Sequence, residues 1–375
     1  MRKLNGWTMA CSAVALLGLW ATLQPASAQS IQVLYTFAGG SDGSTPSAGL
    51  IRDSQGNLYG TTEFGGGSCN CGTVFELASF GMKTILHSFA GAGAGDGANP
   101  YYGALIADSS GNGYGTTRLG GAINLGSVFR VSSTGQETVL HSFAGGKHDG
   151  AYPYAGLVRD NSGNLYGTTF AGGAFDVGTI FRLSPSGTMT VVHSFAAGSD
   201  GASPSAGLVF DSHGHAYGTT QAGGQSGFGT VYEVDSSGKY KVLYSFKGGN
   251  DGAAPRAGLI LDPSGNIYGT TGGSGGGCST AFKMTPTGEE TVLYSCLEQA
   301  TGGLVRDSVG NLYGADFQLV FKIDTADNFI ILVRLDGTTG EGPLGSLVLD
   351  PVGSLYGTAS QGGQAGYGTV FKVVP

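Results

Sequence analysis

Six carboxylates recur directly before a glycine, and their repetition raises the question of a metal site. They belong to Asp42, Asp96, Asp149, Asp200, Asp251 and, less clearly, Asp336. Ca²⁺ takes several oxygen ligands and could be attracted by such a ring. An Asp before Gly also accepts hydrogen bonds from nearby loop amides, and a feature present in nearly every repeat is explained more simply by folding. We therefore favour a structural role, with Ca²⁺ as the alternative and no other cofactor expected.

Two further recurring sets could act as acids or bases. Three His-Ser-Phe segments contain His87, His141 and His193, which align with Tyr35, Tyr244 and Tyr294 in other repeats. That position therefore requires an amphipathic ring and not imidazole chemistry. The second set begins tight turns, at Asp53, Asp108, Asp160, Asp211, Asp262, Asp307 and Asp350. Both sets are predicted to be structural.

Four cysteines lie beyond the first 28 residues. Cys278 opens one predicted strand and Cys296 ends the next, so a hairpin between these strands would bring the two thiols together. We predict a disulfide there, because thiols of exported proteins tend to oxidise. Cys69 and Cys71 could chelate a metal, but neither a His nor a second cysteine pair follows at zinc spacing. A local disulfide or two free thiols are favoured for that pair.

These residues are positioned by a repeat, which a Tyr-Gly pair marks. The tyrosines are separated by 55, 52, 51, 51, 45 and 43 residues and lie at Tyr59, Tyr114, Tyr166, Tyr217, Tyr268, Tyr313 and Tyr356. Each copy contains four short runs rich in Val, Ile, Thr, Tyr and Phe, separated by Gly, Pro, Asn, Asp and Ser, which predicts four strands joined by turns. Tight turns force antiparallel hairpins, so each copy is a four-stranded meander.

Seven such sheets predict an all-β, seven-bladed β-propeller. One small sheet cannot bury both faces, and radial closure leaves the fewest exposed edges. The segment Ile31–Phe37 matches the fourth strand of a repeat, whereas the last repeat stops at its third strand, Gly368–Val374. The first strand should therefore complete the last blade. An open β-solenoid is the less favoured alternative.

The repeats resemble two known families. Gly-Leu-Val-Arg-Asp-Asn-Ser-Gly-Asn-Leu-Tyr, at residues 156–166, looks like the first hairpin of NHL-type propeller repeats. The Tyr-Gly-Thr-Thr, Gly-Gly and Gly-Thr-Val-Phe series resembles the bacterial GloVer family of exported tandem-repeat proteins over residues 29–375. The NHL resemblance implies that Gly-Leu-Val-Arg-Asp forms the innermost strand. It also implies that both long loops of every blade emerge on one face.

Residues 1–28 are predicted to be a signal peptide, and residues 29–375 to form the propeller. Arg2 and Lys3 precede an apolar run, and Ala26-Ser27-Ala28 predicts cleavage after Ala28. The protein should be secreted, extracellular or periplasmic, and no later stretch is long and apolar enough to span a membrane. Of 18 basic residues two lie in the signal, so 16 remain against 26 acidic residues, a net charge of −10. This balance disfavours a nucleic-acid partner.

Function is sought where the repeats differ. The entry of each predicted inner strand varies as Ser47, Tyr102, Tyr154, Ser205, Arg256, Thr301 and Leu344, a ring expected at the long-loop mouth of the channel. Additional aromatic and polar residues of blades 2 and 3 near this ring are Tyr101, Tyr152, Lys147 and His148. Amphipathic rings suit carbohydrate or peptide recognition, although they could also fill the channel.

These observations favour a binding or interaction protein whose ligand is a glycan or a surface protein. A structural or adhesive surface protein without a discrete ligand site is the alternative. A polysaccharide-active enzyme ranks third, because no nucleophile elbow, zinc-type His pair or close carboxylate pair stands outside the repeated positions. Catalytic residues are therefore not assigned.

Overall fold

Seven four-stranded antiparallel sheets make up the structure of the chain. This computed structural model describes residues 29–273, 278–298 and 300–374, and the predicted signal peptide at residues 1–28 lies outside them. The sheets are the predicted blades, numbered from the first Tyr-Gly repeat. The all-β, seven-bladed propeller predicted from the sequence is confirmed.

Each blade is a meander whose strands follow one another from the channel outward. The first strands are β2 (Ile51–Arg52), β7 (Ile106–Ala107), β13 (Val158–Arg159), β18 (Val209–Phe210), β22 (Ile260–Leu261), β26 (Val305–Arg306) and β30 (Val348–Leu349). The second strands, which contain Tyr-Gly, are β3 (Leu58–Thr62), β8 (Gly113–Thr117), β14 (Leu165–Thr169), β19 (Ala216–Thr220), β23 (Ile267–Thr270), β27 (Leu312–Ala315) and β31 (Leu355–Ala359).

The outer half of each blade is a second hairpin. The third strands are β4 (Thr73–Leu77), β10 (Ser127–Val131), β16 (Thr179–Leu183), β20 (Thr230–Val234), β24 (Ser279–Met284), β28 (Leu319–Ile323) and β32 (Thr369–Val374). The outermost strands are β1 (Ser30–Thr36), β5 (Lys83–Ser88), β11 (Glu137–Ser142), β17 (Met189–Ser194), β21 (Tyr240–Ser245), β25 (Glu290–Leu297) and β29 (Phe329–Arg334).

The loops that leave the second and fourth strands pair with each other, so both lie on one face. In blades 2 and 3 this pairing forms two-residue strands, which are β6 (Gly97–Ala98) with β9 (Leu119–Gly120) and β12 (Gly150–Ala151) with β15 (Ala171–Gly172). Single 3-10 turns lie at Gly40–Asp42, Ala92–Ala94, Gly198–Asp200 and Gly249–Asp251. Within the described residues, no helix has the length and apolar character needed to cross a membrane.

Hydrogen bonds explain the fixed spacing between the turn Asp and Tyr-Gly. In blade 2 the carboxylate of Asp108 accepts hydrogen bonds from the backbone amides of Ser110 and Asn112 at 2.9 and 3.0 Å, and from the Tyr114 hydroxyl at 2.9 Å. Burial alone would raise the pKa of Asp108, but hydrogen bonds from Asn112, Tyr114 and Ser110 outweigh it and lower the pKa to about 2. The repeated Asp therefore ties a turn to its own strand.

The core consists of one apolar cluster between each pair of neighbouring blades, including the pair of blades 7 and 1. Between blades 1 and 2, Phe89 meets Phe129 edge to face with ring centroids 5.1 Å apart, and both rings are fully buried. The glycine of Tyr-Gly makes room for this ring, since a Cβ on Gly115 would lie 2.7 Å from Phe129 Cζ. Such an aromatic pair lies between five of the seven pairs of blades. In the other two, Leu297 and Leu335 share a cluster with Phe321 and Phe371.

The first strand of the chain closes blade 7, as the sequence predicts. β1 pairs antiparallel with β32, and the register joins Ile31 to Val373 and Thr36 to Thr369. Because β32 also pairs with β31, blade 7 has the same four strands as the other six blades.

Candidate functional site

The segments that lead into the first strands of all seven blades line a central cavity of about 170 Å³. Five of the seven positions that the sequence places at the mouth of the channel line this cavity, namely Tyr102, Ser205, Arg256, Thr301 and Leu344. The other two, Ser47 and Tyr154, contact neighbours of these residues. The ring drawn from the aligned repeats therefore gathers at one place in the structure.

The cavity is small because glycines let neighbouring inner strands approach backbone to backbone. A Cβ on Gly156 would lie 2.6 Å from the carbonyl oxygen of Ala104 in the adjacent blade. Thr116 then fixes the two blades by donating a hydrogen bond to the carbonyl of Ala155 at 2.7 Å. The wall is thus rigid, and a ligand would meet the residues of the mouth.

Four aromatic rings of blades 2 and 3 form a continuous surface beside the mouth. Tyr101 and Tyr102 lie with ring centroids 3.9 Å apart, and the Tyr101 hydroxyl donates to the Tyr102 hydroxyl at 2.9 Å. Tyr154 continues the surface at 5.4 Å from Tyr101, and Phe170 follows at 4.7 Å from Tyr154. These four residues are called the aromatic cluster below. All four are half-buried.

A guanidinium group lies over this aromatic cluster. The Arg118 side chain is 5.2 Å from the ring centroid of Tyr101 and 6.0 Å from that of Tyr154, within cation–π range. Glu63 is only 7 % exposed, and its carboxylate accepts a hydrogen bond from Ser47 Oγ at 3.4 Å. Burial raises the pKa of Glu63, and the charge of Arg118 and the Ser47 hydrogen bond counteract the rise.

Sequence reasoning missed Glu63, Arg118 and Phe170 as site residues. All three occupy the position that follows Thr-Thr in the second strand, a second place where the blades differ. This position is Glu63, Arg118, Phe170, Gln221, Gly272, Phe317 and Ser360. Its backbone bonds to the loop before the inner strand, as in the bond from Arg118 N to Asn99 O at 3.1 Å. Variation at this position was the signal that could have revealed them.

Several polar groups at the mouth have no protein partner among the described residues. The buried hydroxyls of Ser205 and Thr301 lack hydrogen bonds there. Arg256 is exposed, and like Arg118 it has no carboxylate within 4.0 Å in the described part of the chain. Burial, and secondarily the hydrogen-bonded contact with Tyr101, raise the pKa of Tyr102, so this phenol stays protonated. The mouth thus offers a ligand two guanidinium groups and several hydroxyl groups that can donate hydrogen bonds.

His148 and Tyr152, which the sequence also assigned to this site, do not join the aromatic cluster. His148 is exposed on the loop between blades 2 and 3. Tyr152 precedes Pro153 with φ at 58° and makes backbone bonds to Leu125 and Phe170. Thr45, Asn99, Ser203 and Ala254 have the same left-handed conformation at the equivalent position, so Tyr152 serves the loop. Within the described residues, no aromatic contact joins its ring to the aromatic cluster.

Each repeated carboxylate proposed for Ca²⁺ bonds to its own loop and outer strand, and Asp42 also pairs with Lys83 of the next blade. Asp149 accepts backbone hydrogen bonds from Ala144 and Gly150 at 2.9 and 2.8 Å and contacts His141 Nε2 at 3.1 Å. The same arrangement, with Tyr in place of His in two blades, recurs at Asp42, Asp96, Asp200 and Asp251. Local bonding of this kind is what a folding role requires.

The four cysteines among the described residues form two disulfides. Cys278, just before β24, is bonded to Cys296 in β25, with the two Cα atoms 4.4 Å apart. Cys69 is bonded to Cys71 within the long loop of blade 1, with a Cα separation of 5.3 Å. With their sulfurs in a disulfide, Cys69 and Cys71 do not form a thiolate metal site in this structure.

Fold and site define a seven-bladed β-propeller with an aromatic and cationic channel mouth. The sequence pattern of the Gloeobacter/Verrucomicrobia repeat matches residues 3–216 and 196–371, and the chain belongs to this family. None of the curated proteins matches the chain in sequence.

Solved structures show the same fold at low sequence identity. Two are extracellular domains provisionally assigned to hybrid two-component systems of B. thetaiotaomicron, with TM-scores of 0.63 and 0.59 and identities of 11 % and 14 %. Each is matched by 92 % of this chain, which spans only 39 % and 41 % of those proteins. A third, provisionally named a 6-phosphogluconolactonase of Bacteroides uniformis, has a TM-score of 0.52 and 16 % identity, with coverages of 83 % and 88 %. These likenesses concern the fold.

Proposed function

We propose that the protein is exported, with cleavage after Ala28, and binds a glycan that carries an acidic group at the channel mouth. The observation that carries the proposal is the aromatic cluster, bordered by Arg118 and by a channel that Arg256 lines. Sugar rings stack on aromatic faces, and tyrosine adds hydroxyl groups for hydrogen bonds. Guanidinium groups pair with carboxylates through two parallel hydrogen bonds.

Export is supported by three features of different kinds. Residues 1–28 have the pattern of a signal peptide. Two disulfides are typical of an oxidising compartment. Two structures with the same fold are extracellular domains. An exported glycan-binding protein would meet its ligand at a cell surface or in the medium.

A glycan array that contains neutral and uronic-acid polysaccharides tests the proposal on the exported protein. Retention of acidic glycans is expected, and Tyr102→Ala with Tyr154→Ala should abolish it by removing two rings of the aromatic cluster. Tyr152→Asn is the matched control, because Asn99 has the same backbone conformation at the equivalent position. This control should bind as the wild type does. Added Ca²⁺ should leave retention unchanged.

Two results would contradict the proposal. Retention that survives in the folded double variant would place any sugar site elsewhere, and no retention of any glycan would remove the glycan altogether. Near-ultraviolet circular dichroism of the double variant establishes that the loss is not unfolding.

A protein partner is the second candidate, and exposed apolar side chains on the long-loop face favour it. Ile123 and Phe175 lie on corresponding loops of blades 2 and 3 and are 57 % and 62 % exposed. Large apolar side chains in water on neighbouring loops suit a protein interface. Ile123→Ser with Phe175→Ser should weaken a protein interaction while leaving glycan retention intact, which separates the two functions.

A further inference from the structure

A different set of residues lies at the outer rim, in the seam where each blade meets the next. One residue at the start of the outermost strand lies against the preceding blade. In four seams it faces the repeated Asp that closes that blade. This seam position is Lys83, Glu137, Met189, Tyr240, Glu290, Phe329 and, in blade 7, Ile31. Its residue type changes from blade to blade, so each seam has its own chemistry.

In two seams the residue at the seam position makes favourable contacts with the preceding blade. Lys83 places its ammonium 2.7 Å from Asp42 Oδ1, so a cation faces the carboxylate. Tyr240 stacks on His193 with ring centroids 3.8 Å apart, and its hydroxyl donates to the Asp200 carbonyl. In each of these cases the seam residue complements the Asp and ring opposite.

The seam between blades 1 and 2 lacks such complementarity. Glu137 brings a second carboxylate to His87 and Asp96, and the donor atoms of the three lie within 4.8 Å of one another. His87 Nε2 is 3.0 Å from Asp96 Oδ2. Glu137 Oε1 is shielded from solvent and has no hydrogen-bond partner among the described residues. Two carboxylates thus converge where Lys83 supplies a positive charge in the neighbouring seam.

The electrostatics of this seam also call for a positive charge. Burial, followed by the charge of Asp96, raises the pKa of Glu137 to about 7, and His87 opposes the rise. A bound cation would satisfy both carboxylates at once. The geometry is already fixed, because Asp96 accepts backbone hydrogen bonds from Ala90 at 2.8 Å and Gly97 at 2.6 Å.

We propose that His87, Asp96 and Glu137 bind a first-row divalent transition-metal ion such as Zn²⁺ and so link blades 1 and 2. One imidazole nitrogen and two carboxylates form a donor set that suits Zn²⁺, whereas Ca²⁺ and Mg²⁺ prefer oxygen ligands alone. Within the described residues, this is the one group of three such donors.

Isothermal titration of the tag-free protein with Zn²⁺ at pH 7.5, without reductant, tests the site. The expected result is one strongly bound ion per chain. His87→Tyr and Glu137→Gln should each weaken binding by at least about 10-fold. His87→Tyr is compatible with the fold, because Tyr35 and Tyr244 occupy the equivalent positions.

Glu290→Gln is the matched control. Glu290 faces Asp251 and Tyr244 in its own seam and therefore lacks the imidazole ligand. Its Zn²⁺ affinity should equal that of the wild type. A thermal unfolding midpoint that rises with Zn²⁺ in the wild type, and not in His87→Tyr, gives a second readout.

Three outcomes would overturn the proposal. They are no Zn²⁺ binding by the wild type, binding that both variants retain, and equal competition by Ca²⁺. Retained binding would direct attention to His213 and His215, which lie on the opposite, turn-bearing face. Unfolding curves of the metal-free variants distinguish loss of the site from loss of the fold.

Discussion

Positions that repeat in every blade and positions that vary differ in how their polar groups are used. Asp108 of blade 2 and Asp149 between blades 2 and 3 bond to their own loops and strands, and their counterparts do the same around the ring. At the channel mouth, by contrast, the hydroxyls of Ser205 and Thr301 have no partner among the described residues. Arg118 and Arg256 have no carboxylate within 4.0 Å there. The repeated Asp residues therefore fold the protein, whereas the varied residues of the mouth have capacity left for a ligand.

The seam position is intermediate between these two classes. Its residue type varies, yet in four seams it faces a repeated Asp. Lys83 and Tyr240 complement that Asp and its surroundings, whereas Glu137 and Glu290 place a second carboxylate against it. Variation alone thus does not identify a site, because the environment decides whether the varied group is satisfied.

The largest loss of stability is expected when a repeated apolar residue is replaced. Phe129→Ala removes a fully buried ring that packs against Phe89 across the seam of blades 1 and 2. The free energy of unfolding should fall by about 3 to 5 kcal/mol, because lost burial and a cavity add together. Denaturant titration measures the loss, with Phe129→Leu as a milder control. A loss below about 1 kcal/mol would contradict the inference that the repeated positions stabilise the fold.

A smaller change in stability is expected when Glu290 loses its proton as the pH rises. Burial and Asp251 raise its pKa from the ordinary 4.5 to about 7, and Lys247 opposes the rise. Between these values the folded state binds more protons than the unfolded state, so the free energy of unfolding falls as the pH rises through 7. Allowing for partial exposure, the loss is about 1 kcal/mol. The free energy of unfolding of Glu290→Gln, measured between pH 4.5 and 8.5, should not show this decrease. A decrease as large as that of the wild type would refute the prediction.

The smallest effect on stability is expected at a varied position of the mouth. Arg256→Ala should change the free energy of unfolding by less than about 0.5 kcal/mol, because the side chain is exposed and forms no ion pair within the described chain. Its affinity for an acidic glycan should nevertheless fall roughly 10-fold, as expected for a lost charged hydrogen bond. Arg256→Lys keeps the charge without the planar guanidinium, so its glycan affinity should lie between those of the wild type and Arg256→Ala. Equal affinities in all three proteins would remove Arg256 from the site.

The sequence was sufficient to predict the fold because its signals are local and repeated seven times. The turn Asp, the tyrosine that bonds to it and the glycine beneath a core ring recur at fixed offsets. Closure was predictable as well, since a strand that matches the fourth of a repeat begins the propeller segment. The four-stranded sheets and the pairing of β1 with β32 confirm both predictions.

The candidate site was predictable in part. The residues three positions before the inner-strand leucine were found by aligning the repeats, and five of them line the cavity. Glu63 and Phe170 were missed because they belong to another strand, and only the pairing of the two long loops brings that strand end to the mouth. Contacts of this kind depend on loop geometry that offsets along the chain do not reveal.

The pairing of β1 with β32 has a consequence for folding kinetics. Strands of the other six blades find their partners within a few tens of residues, whereas Ile31 must meet Val373, more than 300 residues away. Loop-closure entropy makes such a contact slow to form, and synthesis delivers its two halves first and last. The early strand must therefore remain unpaired until the final one has been made. Completion of blade 7 is thus expected to be the last step in the assembly of the ring.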